Sequence, residues 1–227
     1  MITPLGPGLW RIATASRDRE NAFLAESDDG LTLIDVGWRS APAIILEDIE
    51  SHGWKARDIK RILITHAHPD HVRGLRQLLH HTGAEVHIHE LEADWLANGR
   101  VPRSGRSGAA ARVADLAPLL HWDPVDADHL LAGGETIGGL HAIHTPGHSP
   151  GHMVFRHLES NTVLVGDAVF NRRSTATGPD AFAWDPAMRD TTIADIPTKV
   201  VGVGFAHGAP LRGAEVDRFI EFADSLG

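Results

Sequence analysis

The sequence predicts an α/β (α+β) fold in which two β-sheets pack face to face with helices outside. Short apolar runs bounded by turn-forming residues recur along both halves of the chain, as strands require. Segments with apolar residues at helical spacing follow those runs in each half. The 227 residues, 42% hydrophobic and 22% charged, are enough for a substantial core, and 1–227 is expected to form a single domain.

In chain order, Leu9 to Ala13, Asn21 to Ala25 and Leu31 to Val36 read as short strands, and Ser27-Asp28-Asp29-Gly30 supplies a turn, so the chain opens as a meander. Ala41 to His52 reads as a helix, with Pro42 tolerated in its first turn and Gly53 at its end. Arg61 to Thr65 is a strand, Val72 to His81 a helix closed by Gly83, Glu85 to His89 a strand and Leu91 to Ala97 a short helix. Asn98 to Ala111, rich in Gly, Ser, Ala and Arg, is expected to be a mobile connection and is the best lid candidate. The second half repeats the style with strands at Leu140 to Thr145, His152 to Leu158, Thr162 to Val165 and Val200 to Phe205, and a closing helix from Ala214 to Leu226.

Composition excludes several functions. A formal charge of −9 opposes binding to a phosphate backbone, so no nucleic-acid partner is expected. No run of apolar residues is long enough for a membrane span, and Met1 to Trp10 lacks the basic cluster of a signal peptide; a cytoplasmic protein without a membrane partner is expected. With no cysteine, only histidine and carboxylate remain to hold a metal.

The densest chemistry is Thr65-His66-Ala67-His68-Pro69-Asp70-His71, directly after the apolar run Arg61-Ile62-Leu63-Ile64. Imidazole nitrogens and a carboxylate suit divalent first-row metals, and a loop at a strand end can aim them at one point. Three further candidate ligands stand at the ends of apolar segments: His148, Asp167 and His207.

His66-x-His68-x-Asp70-His71, then Thr145-Pro146-Gly147-His148-Ser149-Pro150-Gly151-His152, then Gly166-Asp167 and His207-Gly208, resembles the metallo-β-lactamase-fold hydrolase superfamily over nearly the whole chain. The resemblance implies a four-layer αβ/βα sandwich of two mixed sheets with a dinuclear metal site at one edge. It assigns His66, His68 and His148 to one metal, Asp70, His71 and His207 to the other, and Asp167 as the bridge. It implies two Zn²⁺ ions, iron or manganese fitting the same donors, and a bridging hydroxide that attacks the substrate. Asp70 is the candidate proton donor to the leaving group.

The other histidines divide in two. His52, His80, His81, His121, His129 and His157 are expected on polar faces or turns, whereas His87, His89, His141, His144 and His152 are expected nearer the site, where one or two would orient a ligand imidazole. Arg100, Arg103, Arg106 and Arg112 read first as a solvated face and second as a recognition surface for an anionic substrate; Arg172 and Arg173 carry the same two readings. Trp95, Trp122 and Trp184 are expected in the core, Trp184 with a second reading against the pocket.

Missing features narrow the activity. Zero cysteines exclude the β-lactamases that use one as a ligand. Glyoxalase II enzymes share the ligand set but carry a C-terminal helical extension, and here 20 residues follow His207. Many lactonases of this type place a tyrosine near the metals, and the chain has none. Ala168-Val169-Phe170-Asn171 departs from the stretch that follows the aspartate in persulfide dioxygenases. The expected function is a zinc-dependent dinuclear hydrolase of a small-molecule ester, lactone or thioester. The alternatives are a non-haem iron, persulfide dioxygenase-like oxidoreductase and a non-catalytic metal-binding protein. The sequence leaves the substrate and the oligomeric state open.

Overall fold

A computed structural model describes residues 2–226. β1 (Ile2–Gly6), β2 (Leu9–Ala13), β3 (Asn21–Ser27) and β4 (Gly30–Ile34) pair antiparallel in sequence order. β5 (Ile59–Leu63), β6 (Glu85–His89) and β7 (His129–Leu131) continue this seven-stranded sheet in parallel from β4. The crossovers carry α1 (Ala41–Ser51), α2 (Pro69–Val72), α3 (Leu75–Thr82), α4 (Ala93–Asn98) and α5 (Ala109–Ala114).

The second half supplies β8 (Thr136–Ile137), β9 (Leu140–His144), β10 (Met153–His157) and β11 (Thr162–Leu164). A separate hairpin of β12 (Phe170–Asn171) and β13 (Thr175–Ala176) precedes α6 (Pro186–Ala194), β14 (Gly202–Gly204), β15 (Leu211–Arg212) and α7 (Asp217–Asp224). The sheet order is β15-β14-β11-β10-β9-β8, with β11 and β14 parallel.

Strand alternation divides the apolar residues among three buried layers. Ile12, Leu24, Leu33, Ile62 and Val86 pack outward against Ile45, Ile49, Leu75, Leu78 and Leu96 of the helices. Leu9, Phe23, Ile34 and Leu63 face inward against Ala142, Met153, Phe155 and Leu164 of the second sheet. Val154, Val163 and Val203 pack on Ile193, Phe219 and Ala223. The result is helix, sheet, sheet, helix, as the resemblance implies.

Several elements differ from expectation. β1 went unread because Pro4 and Gly6 mask its strand character; as the edge strand of the sheet it loses little by Pro4 lacking an N–H. The single helix expected over Val72 to His81 is instead α2 and α3, joined at Arg73-Gly74. A Cβ on Gly74 would lie 2.7 Å from Pro42 Cγ and 3.0 Å from the Trp38 carbonyl, so α1 and this turn need glycine to approach. Asp70 and His71 therefore sit on a short helix rather than a loop. The closing helix starts later than expected, a 3₁₀ turn occupying Gly213–Val216.

Asn98 to Ala111 is fastened along its second half. Ser107 N–H donates to the Ala183 carbonyl at 2.7 Å and Gly108 N–H to that of Ala181 at 3.1 Å. Arg106 is buried, pairing with Asp115 at 2.9 Å and donating to the Phe182 carbonyl at 2.8 Å. This corrects its first reading as part of a solvated face: a buried guanidinium becomes tolerable once a carboxylate and a carbonyl take its N–H groups.

Candidate metal centre

β5, β9, β11 and β14 all end at one edge of the sandwich, and the seven sequence-predicted donors follow those ends. The hydrogen bond from Met153 N–H to the Thr65 carbonyl, 2.8 Å, ties the two sheets together there. The donors fall into two groups, His66 with His68 and His148, and Asp70 with His71, Asp167 and His207; within each, the donor atoms lie within 4.8 Å of one another. All are buried except Asp70, whose side chain is 28% exposed. The structure thus brings together every residue expected at the site.

His148 Nε2 lies 2.9 Å from His68 Nδ1. Asp167 Oδ1 is 3.3 Å from His71 Nε2 and 3.2 Å from His207 Nε2, while its Oδ2 is 3.5 Å from His148 Nε2. Asp70 Oδ2 is 3.4 Å from His207 Nε2. One carboxylate oxygen of Asp167 therefore faces each group.

The ring nitrogens that His66, His71 and His207 turn away from the centre are held. His71 Nδ1–H donates to Asp35 Oδ2 at 2.8 Å, and Asp35 also accepts from Thr65 N–H and Thr65 Oγ1–H, both at 2.8 Å. Thr65 Oγ1 in turn accepts from His66 Nδ1 at 3.0 Å. His207 Nδ1–H donates to the Arg19 carbonyl, and its ring stacks on Phe170 at 5.0 Å. His152 Nε2 accepts from Asp167 N–H at 3.0 Å, holding the backbone there, while its Nδ1–H donates to Thr145 Oγ1 at 2.9 Å. Such outer partners set which nitrogen of each ring is free to bind. His152, expected to orient a ligand imidazole, instead holds the backbone of Asp167.

Asp35 and Glu92 were missed by sequence reasoning. Asp35 sits just past β4 with φ of 58°, a left-handed conformation that aspartate tolerates better than most residues. Its only sequence signal is a carboxylate at the end of an apolar strand. Glu92 is fully buried and accepts from Ala67 N–H, Ser149 Oγ–H and, at 2.9 Å, Gly151 N–H. It links the segment between His66 and His68 to the loop around His148.

Two glycines are required beside candidate ligands. Gly147 has φ of 135°, and a Cβ there would stand 2.2 Å from Arg189 N and Cα; at Gly208, φ 116°, it would stand 1.9 Å from the Asn171 carbonyl oxygen. Trp184, whose second reading is the pocket, is not among the residues lining the cavity beside the donors and contributes its backbone N–H to the His148 carbonyl at 2.9 Å. His157, expected on a polar face, is buried with its Nδ1 2.8 Å from Ser160 Oγ.

Charge divides the two groups. Burial pushes His66, His68 and His148 well down, His148 to about 3, so these rings are neutral. Burial also opposes protonation of His71 and His207, but neighbouring carboxylates outweigh it: Asp35 and Asp167 hold His71 well above its usual range, and Asp167 with Asp70 holds His207 up at about 10. Asp167 is in turn held well below the usual carboxylate range, His207 and His71 overcoming its burial.

A cavity of about 340 Å³ opens onto both groups, lined by Trp38, Phe170, Pro179 and Phe182 together with Asp70 and Arg172. Its exposed walls are largely apolar, with His68, Asp70, His148, Asp167 and His207 also in its lining, as in small-molecule sites.

A family profile described as the metallo-beta-lactamase superfamily matches residues 15–218. Among curated proteins, the chain is 34% identical over 154 residues to an uncharacterized Bacillus subtilis protein, YobT, covering 65% of this chain and 61% of that protein. It is 31% identical over 165 residues to a probable metallo-hydrolase of the same organism, YqgX, covering 71% of each. It is also 33% identical over 130 residues to a hydroxyacylglutathione hydrolase of Ectopseudomonas mendocina, covering 56% of this chain and 39% of that enzyme. The chain thus spans roughly three-fifths of YobT, and less of the hydroxyacylglutathione hydrolase. A subclass B3 metallo-β-lactamase of Bradyrhizobium japonicum superposes with a TM-score of 0.76 at 22% identity, covering 99% of this chain and 90% of that one, which shows a common fold. With the profile spanning most of the sequence, the chain belongs to the metallo-β-lactamase superfamily.

Proposed function

We propose that this protein is a metal-dependent hydrolase whose seven donors hold two divalent cations, zinc by preference, and that it cleaves an ester, lactone or thioester. The placement of Asp167 carries the reading, with Oδ1 facing His71 and His207 and Oδ2 facing His148. Those separations, 3.2–3.5 Å, match the edge of a tetrahedron built on bonds of 2.0–2.1 Å, roughly 3.3–3.4 Å. Unpartnered buried donors fit the same reading: His66 Nε2, His71 Nε2 and Asp167 Oδ1 lack a hydrogen-bond partner, which a cation would supply. In this reading His66, His68 and His148 hold one ion, Asp70, His71 and His207 the other, and Asp167 both.

When bound, such a pair supplies an activated water and a Lewis acid for the carbonyl oxygen under attack. The protein's own residues do the rest. Asp35, His152 and the Arg19 carbonyl hold the donors in place. The apolar cavity walls exclude bulk water and position the acyl group. Asp70, the most exposed donor, takes the proton that the attacking water gives up and passes it to the leaving group. Arg172, exposed at the cavity edge, offers a positive charge to an anionic substrate, whereas Arg106 is already neutralised by Asp115. The hydroxyacylglutathione hydrolases among the relatives favour a thioester within this substrate range. The test is metal analysis of protein purified without added metal, with an ester, lactone and thioester screen on the same sample. About two zinc per chain, and hydrolysis abolished by His68→Ala, is the expected result. A single iron with oxygen uptake on a persulfide and no hydrolysis would overturn it.

A further inference from the structure

A third group of donors lies outside the centre. Glu85 and His87 occupy alternate positions on β6 and share a face, and His87 stands opposite His129 on the edge strand β7. That face looks toward the second sheet, since His87 is also in register with Leu63 of the inter-sheet core. The two imidazoles stack at 4.4 Å, His129 Nε2 is 3.3 Å from Glu85 Oε2, and one donor atom from each residue lies within 4.8 Å of the others.

His87 makes this more than an edge cluster. The residue is 7% exposed, and both its ring nitrogens are buried without a hydrogen-bond partner. A buried polar atom left unmatched is costly, so natural structures leave few of them. His87 has at once a nitrogen lone pair and a ring N–H to place. The guanidinium of Arg61, on the neighbouring strand, is taken by Asp29 and leaves the Glu85 carboxylate available.

We propose that Glu85, His87 and His129 form a further cation site for a divalent first-row metal, distinct in all its ligands from the centre described above. Two imidazoles and a carboxylate without thiolate suit zinc, copper or nickel and leave coordination positions for water. The ion would pin the three-residue edge strand β7 to β6, where backbone pairing alone is short.

The test uses the metal-loaded protein, so that the principal centre is filled, titrated with Zn²⁺ by calorimetry and by thermal melting. Wild type is expected to take up one further equivalent and to melt higher as it does. His129→Ala and Glu85→Gln alter exposed side chains and are expected to fold normally. Both should weaken that uptake by about tenfold or more, abolish the thermal shift, and leave the hydrolytic rate unchanged. The proposal is overturned if wild type binds no further zinc, or if both variants bind it as wild type does.

Discussion

Glu92 is the buried residue through which the two ligand-bearing loops depend on each other, so Glu92→Ala is the most informative single change. It removes the acceptor for Ala67 N–H, Ser149 Oγ–H and Gly151 N–H. The serine hydroxyl can rotate to another partner, but the two backbone N–H groups are fixed. At about 1–3 kcal/mol for each buried donor left unmatched, the change should cost about 2–6 kcal/mol. Relief of burying a carboxylate, which raises the Glu92 pKa, offsets part of this, leaving about 2–4 kcal/mol. For a chain of this size that lowers Tm by about 5–15 °C in a thermal melt. Because Ala67 lies between His66 and His68, and Ser149 follows His148, zinc affinity measured by competition with a chelator should fall about 10–100-fold. A variant that loses less than about 1 kcal/mol, or loses stability while its zinc affinity stays at wild type, would refute the coupling of the two loops.

Asp70→Asn should lower kcat for ester hydrolysis by about 10²–10⁴-fold while metal content by elemental analysis falls little, because proton delivery is lost before coordination is. Asp35→Asn removes the carboxylate that holds His71 Nδ1–H and should weaken metal binding about 10–100-fold, read by the same chelator competition. His157 is buried neutral with its pKa below the ordinary 6.5, so its contribution is intact above that value and is lost as pH falls and the unfolded chain takes up the proton first. His157→Asn, which keeps an acceptor for Ser160 N–H, should flatten the acid limb of a denaturation-versus-pH series below about pH 6.5; an unchanged limb would clear His157 of the effect. Gly208→Ala, forced against the Asn171 carbonyl, should displace His207 and reduce bound metal to about one ion per chain by mass spectrometry.

The legible part of this chain was its periodicity and its local clustering. His66 to His71 crowd into one segment, and His148, Asp167 and His207 each follow an apolar run, so both the strands and the donors at their ends can be read directly. Residues that act across the fold could not be. Asp35 reaches His71 from another strand end, and Glu92 joins positions 67 and 151; neither has a local pattern that separates it from a surface carboxylate. Arg106 and His157 were read as solvated because burial of a polar side chain depends on partners such as Asp115 and Ser160, which sequence alone does not place. The two- and three-residue strands β7, β8, β12, β13 and β15 are too short to show a period of two. The split between α2 and α3 turns on the fit of Gly74 against Pro42, a contact between separate elements.

The donors of the centre are shared between the two halves of the chain: four precede the Gly133-Gly134 turn and three follow it. Neither half alone carries a complete set for either group, and the register of Asp167 against His71 exists only when both are docked. A chain severed at that turn would make two fragments for which the cation acts as a molecular clasp, their mating strengthened by loading and loosened by a chelator. Occupancy and assembly would then be one observable, and a light-scattering titration of the two pieces would report cation binding with no substrate in hand.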